Sequence, residues 1–439
     1  MGYTVDKARL AILFGVTTFE QFRRSAFLML VRKAYKYRIY PNQTQKDRLA
    51  IQFGHARFVY NWALATRQAH YAEQGTGLTY SDTNWMLTKL KRVVPWLKEA
   101  DSQALQEKLR DLDRAYKNFF EKAKNGTLPK GGQPRQDGRP KGYPRFCSKH
   151  DEQTIRYPQR CKVEGSRVYL PKVGWVRAVL HRPLAGKMKN CTVSKTKTGK
   201  YFVSIQVEED RPEPVKLTGV VGVDLGLKHF AVLSTGEKVD HPQYLRQTER
   251  RLKRAQRVLS RRKKGSKGRA KARQSVAILH ERIANQRQDF LHKTSHRIAE
   301  QFGHIKIENL NVAGMMRNHK LAKSISDSGW GEFGRQLGYK AEWRGGFCEQ
   351  IDRFFASSKT CSVCGWVNQD LTLTHRFWAC GGCGADHDRD HNAAVNIARF
   401  TTVGATESYA GGDRVSPELV STAQAVVAEA GSPPAFSGG

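Results

Sequence analysis

Acid is scarce in this chain. Aspartate and glutamate total 40 against 75 lysines and arginines, a formal charge of +35 over 439 residues. That excess excludes a self-neutral surface and points to a polyanionic partner, most plausibly nucleic acid. A second absence speaks to the membrane alternative, since no apolar run approaches the ~18 residues of a spanning helix. There is no disulfide framework either. Four of the eight cysteines fall in one short stretch, and Cys147, Cys161, Cys191 and Cys348 are scattered, a pattern that suits a reducing cytosol. No small-residue cleavage site follows the short apolar segment Ala11–Val16, so the basic N-terminus (Lys7, Arg9) is not read as a signal peptide. A cytoplasmic protein, nucleoid-associated when bound to DNA, is expected. The length calls for two or three domains.

Residues 361–397 are the most informative stretch. Cys361/Cys364 and Cys380/Cys383 form two CxxC knuckles with 15 residues between them. That is zinc-ribbon spacing, and four thiolates suit tetrahedral zinc. Asp388-Arg389-Asp390 then runs into Asn392-Ala393-Ala394, an acidic turn entering a small-residue helix. A carboxylate near a helix N-terminus is favoured there, as a divalent-metal ligand or as a plain helix cap.

In chain order, residues 1–28 are expected to lack order. Residues 30–41 alternate as a strand and stop at Pro41. Leu49, Phe53, Ala56, Val59 and Trp62 then step by three or four, as do Leu105, Leu109, Leu112, Ala115 and Phe119. These predict a helical lobe over 43–122, with a further helix capped by Ser81 or Asp82. The Gly/Pro/Lys/Arg-rich run 125–144 reads as a basic loop. Strands over 153–208 suggest a small barrel to which 30–41 could belong.

After the linker Arg211-Pro212-Glu213-Pro214 comes a strand at 219–226 carrying Asp224, then a strand at 229–234 and a hairpin. A helical region spans 242–301. Within it, residues 250–273 hold 13 Lys/Arg and no acid. The run includes Arg250, Arg251, Lys253, Arg254, Arg257, Arg261, Arg262, Lys263 and Lys264, read as a nucleic-acid contact. A solvated helix face, or a break at Lys264-Gly265-Ser266, is the plainer account. A strand at 304–310 carries Glu308, a helix lies near 329–345 and a strand at 347–352. The Ala/Gly/Ser/Val-rich tail 401–439 is expected to be disordered.

Asp224 and Glu308 end strands, and Asp390 opens the final helix. Ligand sites of open α/β sheets lie at the carboxyl ends of strands. Three converging acids repel unless cations sit among them. Two Mg²⁺ ions roughly 4 Å apart would clamp the attacking water and the leaving oxygen of a phosphodiester.

The sequence resembles a known family at this point. GVDLG around Asp224, IENL around Glu308, the paired CxxC and DRDHNAAVNI are similar to the split RuvC nuclease of TnpB, the transposon-encoded RNA-guided DNA endonucleases related to type V CRISPR effectors. YKYRIYPN (35–42), ARFVYNW (56–62), AYKNFF (115–120), LPKVGW (170–175), LSRRKK (259–264), RQDFLHK (287–293) and SISDSGWGEF (324–333) carry the resemblance across about 29–400.

The resemblance implies a multidomain α/β protein. An RNase H-like (RuvC) nuclease domain with an inserted zinc ribbon joins a β-barrel wedge domain and a helical recognition lobe. The implied divisions are an extension 1–28, a first wedge strand 29–42, a recognition lobe 43–124, a wedge barrel 125–215, RuvC 216–360, a zinc-ribbon insert 361–389, the last RuvC helix 390–400 and a tail 401–439. It implies catalytic, Mg²⁺-binding Asp224, Glu308 and Asp390, with Asp388 the runner-up for the last, and zinc on Cys361, Cys364, Cys380 and Cys383. It also implies a guide RNA from the transposon end and a duplex DNA target beside a short transposon-adjacent motif. Polar side chains of the helical lobe, Tyr80, Asn84 and Gln106, are candidates for reading that motif, with ordinary surface or cap roles the alternative, and the resemblance implies a monomer in a ribonucleoprotein. A guided repressor and a structure-specific nuclease without RNA remain alternatives. No tyrosine or acidic-triad recombinase signature supports a strand-joining transposase.

Overall fold

The computed structural model describes residues 28–128, 138–150, 152–212, 214, 217–372 and 374–401. The disorder expected for 1–28 and 401–439 concerns residues that, apart from 28 and 401, lie outside these, as does the centre of the basic loop 125–144. The chain divides into two compact units, residues 30–210 and 211–401.

In the first unit, β1 (Leu28–Tyr40) buries Val31, Tyr37 and Ile39 on one face, as a period-two strand must. Asn42 ends it and opens α1 (Gln43–Gln74) through a reciprocal capping box with Gln45. Thr79 caps α2 (Tyr80–Val93) and Asp82 closes the box from the third helical position. The cap is therefore earlier than Ser81 or Asp82, because the threonine hydroxyl and the aspartate satisfy each other's backbone. α3 (Ser102–Lys124) starts at Asp101 and buries Leu105, Leu109, Leu112 and Phe119.

β1 lies inside a seven-stranded antiparallel sheet with β2 (Gln153–Tyr157), β3 (Lys162–Glu164), β4 (Arg167–Leu170), β5 (Gly174–Val179), β6 (Lys187–Lys195) and β7 (Tyr201–Pro212). Their order is β2-β6-β7-β1-β5-β4-β3. Among the described residues the strands do not pair into a closed barrel, since β2 and the short, largely exposed β3 are edges. Helical side chains cover one face instead. Leu49, Phe53, Ala56 and Ala104 join Ile155, Val193 and Ile205 in one core. The expected barrel is thus a half-barrel sheet.

The second unit holds a five-stranded sheet of β8 (Val220–Leu225), β9 (His229–Leu233), β10 (Lys238–Asp240), β11 (His304–Ile307) and β12 (Phe347–Gln350), ordered β10-β9-β8-β11-β12. β8, β11 and β12 pair in parallel, and β9 pairs antiparallel with both β8 and β10. The helical region 242–301 is two helices, α4 (Tyr244–Arg261) and α5 (Lys267–Gln301). Ser266 caps α5, and Arg269 donates to the Leu259 and Arg262 carbonyls across the turn. α6 (Val312–Met315) and α7 (Ala322–Ser328) lead to α8 (Trp330–Glu342). Asp327 on α7 pairs with Arg287 at 2.8 Å and accepts the Leu245 N–H at 2.9 Å. This gives the SISDSGW stretch a packing role. A two-stranded ribbon, β13 (Phe377–Ala379) and β14 (Asp386–Asp388), precedes α9 (Arg389–Arg399).

Candidate active site and cysteine cluster

The sheet register brings two of the acids together. Ile307 on β11 lies opposite Val223 on β8, and the Glu308 N–H donates to the Val223 carbonyl at 3.4 Å. Asp224 and Glu308 are therefore side by side just past the same rung, about 5 Å apart in backbone. The third acid depends on a glycine. A Cβ on Gly222 would stand 2.0 Å from the Ala394 carbonyl oxygen and 2.4 Å from the Ala398 nitrogen. With glycine there, α9 lies directly on β8 and its first turn, with Asp390, reaches the end of the strand.

Electrostatics agree with this placement. The Asp224 carboxyl is pushed well above the usual carboxylate range, first by burial, then by the charges of Glu308 and Asp390; Arg389 and Arg376 oppose the rise. Burial also raises Glu308, offset in part by a backbone bond from Leu225. Asp390 is held by Arg389 at 2.8 Å and Arg376 at 3.2 Å.

Asp388 does different work. It is the N-cap of α9, accepting the Asp390 and His391 N–H groups, and it pairs with Lys238 at 2.6 Å. Burial pushes its carboxyl up, but Lys238 and those amides together bring it below the ordinary value. The cap reading considered for Asp390 belongs to Asp388.

The four cysteine sulfurs lie within 4.8 Å of one another, with Cys361–Cys383 at 3.8 Å and Cys364–Cys380 at 3.6 Å. Tetrahedral zinc with Zn–S near ~2.3 Å requires sulfur edges of about 3.8 Å, so the cluster is compatible with a zinc site. The first sulfur of each knuckle accepts an N–H two residues on, Val363 to Cys361 and Gly382 to Cys380, each at 3.4 Å. Such bonds favour thiolate.

Sequence reasoning missed the groups around these two centres. His387 Nε2 lies 3.0 Å from Cys361 Sγ. Asn392 and Asn396, one turn apart on α9, both donate to the Thr360 carbonyl, at 2.7 and 2.6 Å, and Asn392 accepts the Ser362 N–H at 2.9 Å. They fasten the first knuckle to the helix that carries Asp390. The i,i+4 asparagines within NAAVN were the available signal.

The expected nucleic-acid residues fall in two places. Tyr80 opens α2 with the Arg110 guanidinium 5.3 Å from its ring. Asn84 is one turn along α2 and Gln106 one turn back along α3; the Asn84 Oδ1 is buried with no hydrogen-bond partner among the described residues. Arg250, Arg251, Lys253, Arg254, Arg257 and Arg261 on α4, with Arg262, Lys263 and Lys264 in the turn, lie along one solvent-facing stretch. Lys253 pairs with Glu249 at 3.1 Å.

Comparison with known proteins defines the class first. The fold resembles Cas12f1 as solved by cryo-EM in the Cas12f1–sgRNA–target DNA complex. The TM-score is 0.52 at 14% identity, over 84% of this chain and 99% of that one. A Cas12f1-like TNB domain model matches residues 330–397, a model described as "Probable transposase" matches 203–319, and a "Helix-turn-helix domain" model matches 29–76. In this structure the last span is one strand and one long helix, β1 and α1.

Two relatives then fix the family. A Streptomyces pristinaespiralis protein named "Putative RNA-guided DNA endonuclease" is 38% identical, over 84% of this chain and 89% of its own. InsQ of Escherichia coli K12, named likewise, is 33% identical over 83% and 91%. The chain belongs to the TnpB family.

Proposed function

We propose that this chain is an RNA-guided DNA endonuclease of a transposable element, hydrolysing target duplex DNA beside a short transposon-adjacent motif in one RuvC site. The observation that carries this reading is the meeting of Asp224, Glu308 and Asp390 at one end of β8, β11 and α9, where burial first, and then the charges of the other two acids, raise the Asp224 carboxyl.

The three acids offer hard carboxylate oxygens, which fits Mg²⁺. Two bound Mg²⁺ ions would supply an activated water and steady the leaving oxygen. Asp224 from the end of β8, Glu308 from the end of β11 and Asp390 from the first turn of α9 would hold those ions. Arg376 and Arg389 balance Asp390 and keep its carboxylate oriented.

Cys361, Cys364, Cys380 and Cys383 hold one structural zinc. Through Asn392 and Asn396 the knuckle sets the position of α9. Residues 216–360 and 390–400 are assigned to the nuclease, 361–389 to the inserted ribbon, 43–124 to the recognition lobe, and 29–42 with 125–215 to the wedge. The basic hairpin of α4 and α5 suits a phosphate backbone. Tyr80, Asn84 and Gln106 are assigned to reading the adjacent motif, while base pairing with a guide RNA from the transposon end reads the rest. The working particle is a monomer in a ribonucleoprotein of the bacterial cytoplasm. Among the described residues no helix is long and apolar enough to cross a membrane.

The test starts from protein purified with its flanking element expressed. Bound RNA is sequenced, and cleavage of matching DNA with Mg²⁺ is measured before and after RNase. A discrete RNA whose removal stops cutting supports the reading. Cutting indifferent to RNase would indicate a structure-specific nuclease, and RNA without cutting a guided repressor.

A further inference from the structure

A cleft of about 390 Å³ lies at the carboxyl ends of β11 and β12, lined by Asn309, Gln350, Asp352, Arg353, Phe354 and Phe400 among others. Its volume is in the range of ligand-binding clefts, about 300–1,000 Å³. Its place follows from the register. Ile307 pairs with Gln350, and the Ile351 N–H donates to the Ile307 carbonyl at 3.0 Å. Asn309 is the residue after Glu308, so the cleft adjoins the acid cluster. Asp224 stands two strands away, roughly 10 Å at ordinary strand spacing.

We propose that this cleft binds one unpaired nucleobase of the DNA strand being cut, next to the scissile phosphate. The inference rests on the nuclease reading above and names a contact within it.

Three observations carry it. First, the Phe354 ring is 89% exposed on the rim. It does not belong to a loose loop, since its N–H donates to Asp352 Oδ1 at 2.7 Å and the next residue, Phe355, packs on Phe400 with ring centroids 4.9 Å apart. A large apolar face is thus held out into water on an anchored turn. Bases of any sequence stack on such a face.

Second, Arg353 beside it is exposed and makes a 3.3 Å bond to Asn309 Oδ1. Its remaining guanidinium donors suit a phosphate flanking the stacked base. Third, the interior is wrong for a phosphate but right for a base edge. Asp352 and Glu349 line it, and carboxylates repel phosphate while accepting from exocyclic amino groups. Glu349 is held by Lys306 at 3.7 Å and His304 at 3.3 Å, while Asp352 and Asn309 each use one oxygen on the turn and keep the second carboxylate oxygen and the amide NH2 for an incoming base. Neighbouring base pairs occupy both faces and the pairing edge of a duplexed base, so the occupant is unpaired. That fits a strand already opened by a guide.

The test uses the full chain with its co-purified RNA. Phe354→Ala should slow cutting by about 5- to 150-fold, the range for losing one base–aromatic stack. Phe354→Tyr should restore the rate and Phe354→Leu should not. A scan of single abasic sites through the cut strand should find a position near the cut that slows wild type equally and adds nothing to Phe354→Ala. Wild-type cutting by Phe354→Ala overturns the proposal. So does a slow Phe354→Ala that Leu rescues, or that no abasic position reproduces, because either marks a packing role. If the wild-type complex itself fails to cut, the nuclease reading has failed, a result distinct from any of these.

Discussion

The two sheets of this protein treat their acids in opposite ways. In the half-barrel, Glu208 within β7 meets Lys189 at 2.6 Å and Arg32 at 3.0 Å. Its neighbour Glu209 meets Lys33 at 3.6 Å. Lys189 first, with Arg32, holds the Glu208 carboxyl below its ordinary value. In the five-stranded sheet, Asp224 near the end of β8 is different: burial and two further acids push its carboxyl up. This chain has nearly twice as many bases as acids, so pairing partners are not scarce. Asp224, buried beside two further acids in such a background, is where the proposed Mg²⁺ would be needed, while Glu208 and Glu209 are ordinary surface pairs.

The sharpest way to break that contrast is to neutralise one acid in each sheet. Asp224→Asn should lower cutting by about a thousandfold or more, the scale expected when a metal-bridging ligand goes. Its effect on folding should run the other way. A carboxyl raised in the folded state binds protons there that the unfolded chain has released, so its stabilising contribution is present at low pH and fades as pH rises through the raised value. At neutral pH without Mg²⁺ the raised carboxyl therefore destabilises the fold, and Asp224→Asn should melt higher than wild type. Glu208→Gln should do the reverse, leaving cutting intact and melting slightly lower. Calorimetry in EDTA beside a cleavage assay reads both. An Asp224→Asn protein that melts lower would remove the claim that the acids are held together against their own repulsion.

A second contrast concerns glycines. Gly222 is required by close approach, because α9 occupies the space of its Cβ. Gly174 in β5 is required by its backbone, with φ of 95° and no atom within 4 Å of the place a Cβ would take. Gly174→Ala should cost about 1–2 kcal/mol of stability in the first unit and spare the rate of cutting. Gly222→Ala must push α9 and Asp390 away from Asp224, and a displacement near ~1 Å costs about a hundredfold in rate. Equal rates for the two variants would show that α9 does not set the geometry of the site.

Much of this was legible in the sequence because local rules and fold agree. The helix stripes and strand alternation gave the elements, and CxxC spacing gave the sulfur cluster. The three acids stood out because each interrupts an apolar strand or opens a helix. What was not legible depends on contacts between distant segments. Lys238 claims Asp388 across 150 residues, and no local pattern could say which aspartate would cap. The half-barrel stays open because helices from earlier in the chain cover its buried face. The cleft beside Glu308 exists only because β12 pairs with β11, and Phe354 in the sequence looks like any other aromatic.

The smallest expected effect tests buried charge of the other sign. Lys340 on α8 is 6% exposed and donates to the His292 carbonyl and Ser295 Oγ, each at 2.7 Å. Burial first, with the nearby Arg344, lowers its ammonium to about 8 from an ordinary 10.5, against the pull of Glu332. The unfolded chain therefore holds a proton between about 8 and 10.5 that the folded chain has lost, so this residue makes the fold more stable as pH climbs through that window. Neighbouring Tyr339 and Cys348, both raised by burial, act in the opposite sense at high pH, so only a difference isolates Lys340. Denaturant titrations of wild type and Lys340→Met at about pH 7 and about pH 10 should show the variant losing about 1–2 kcal/mol relative to wild type on going to the higher pH. A pH-independent difference would mean that the two hydrogen bonds keep the ammonium charged throughout. The second unit would then tolerate a buried cation as readily as the first tolerates its surface pairs.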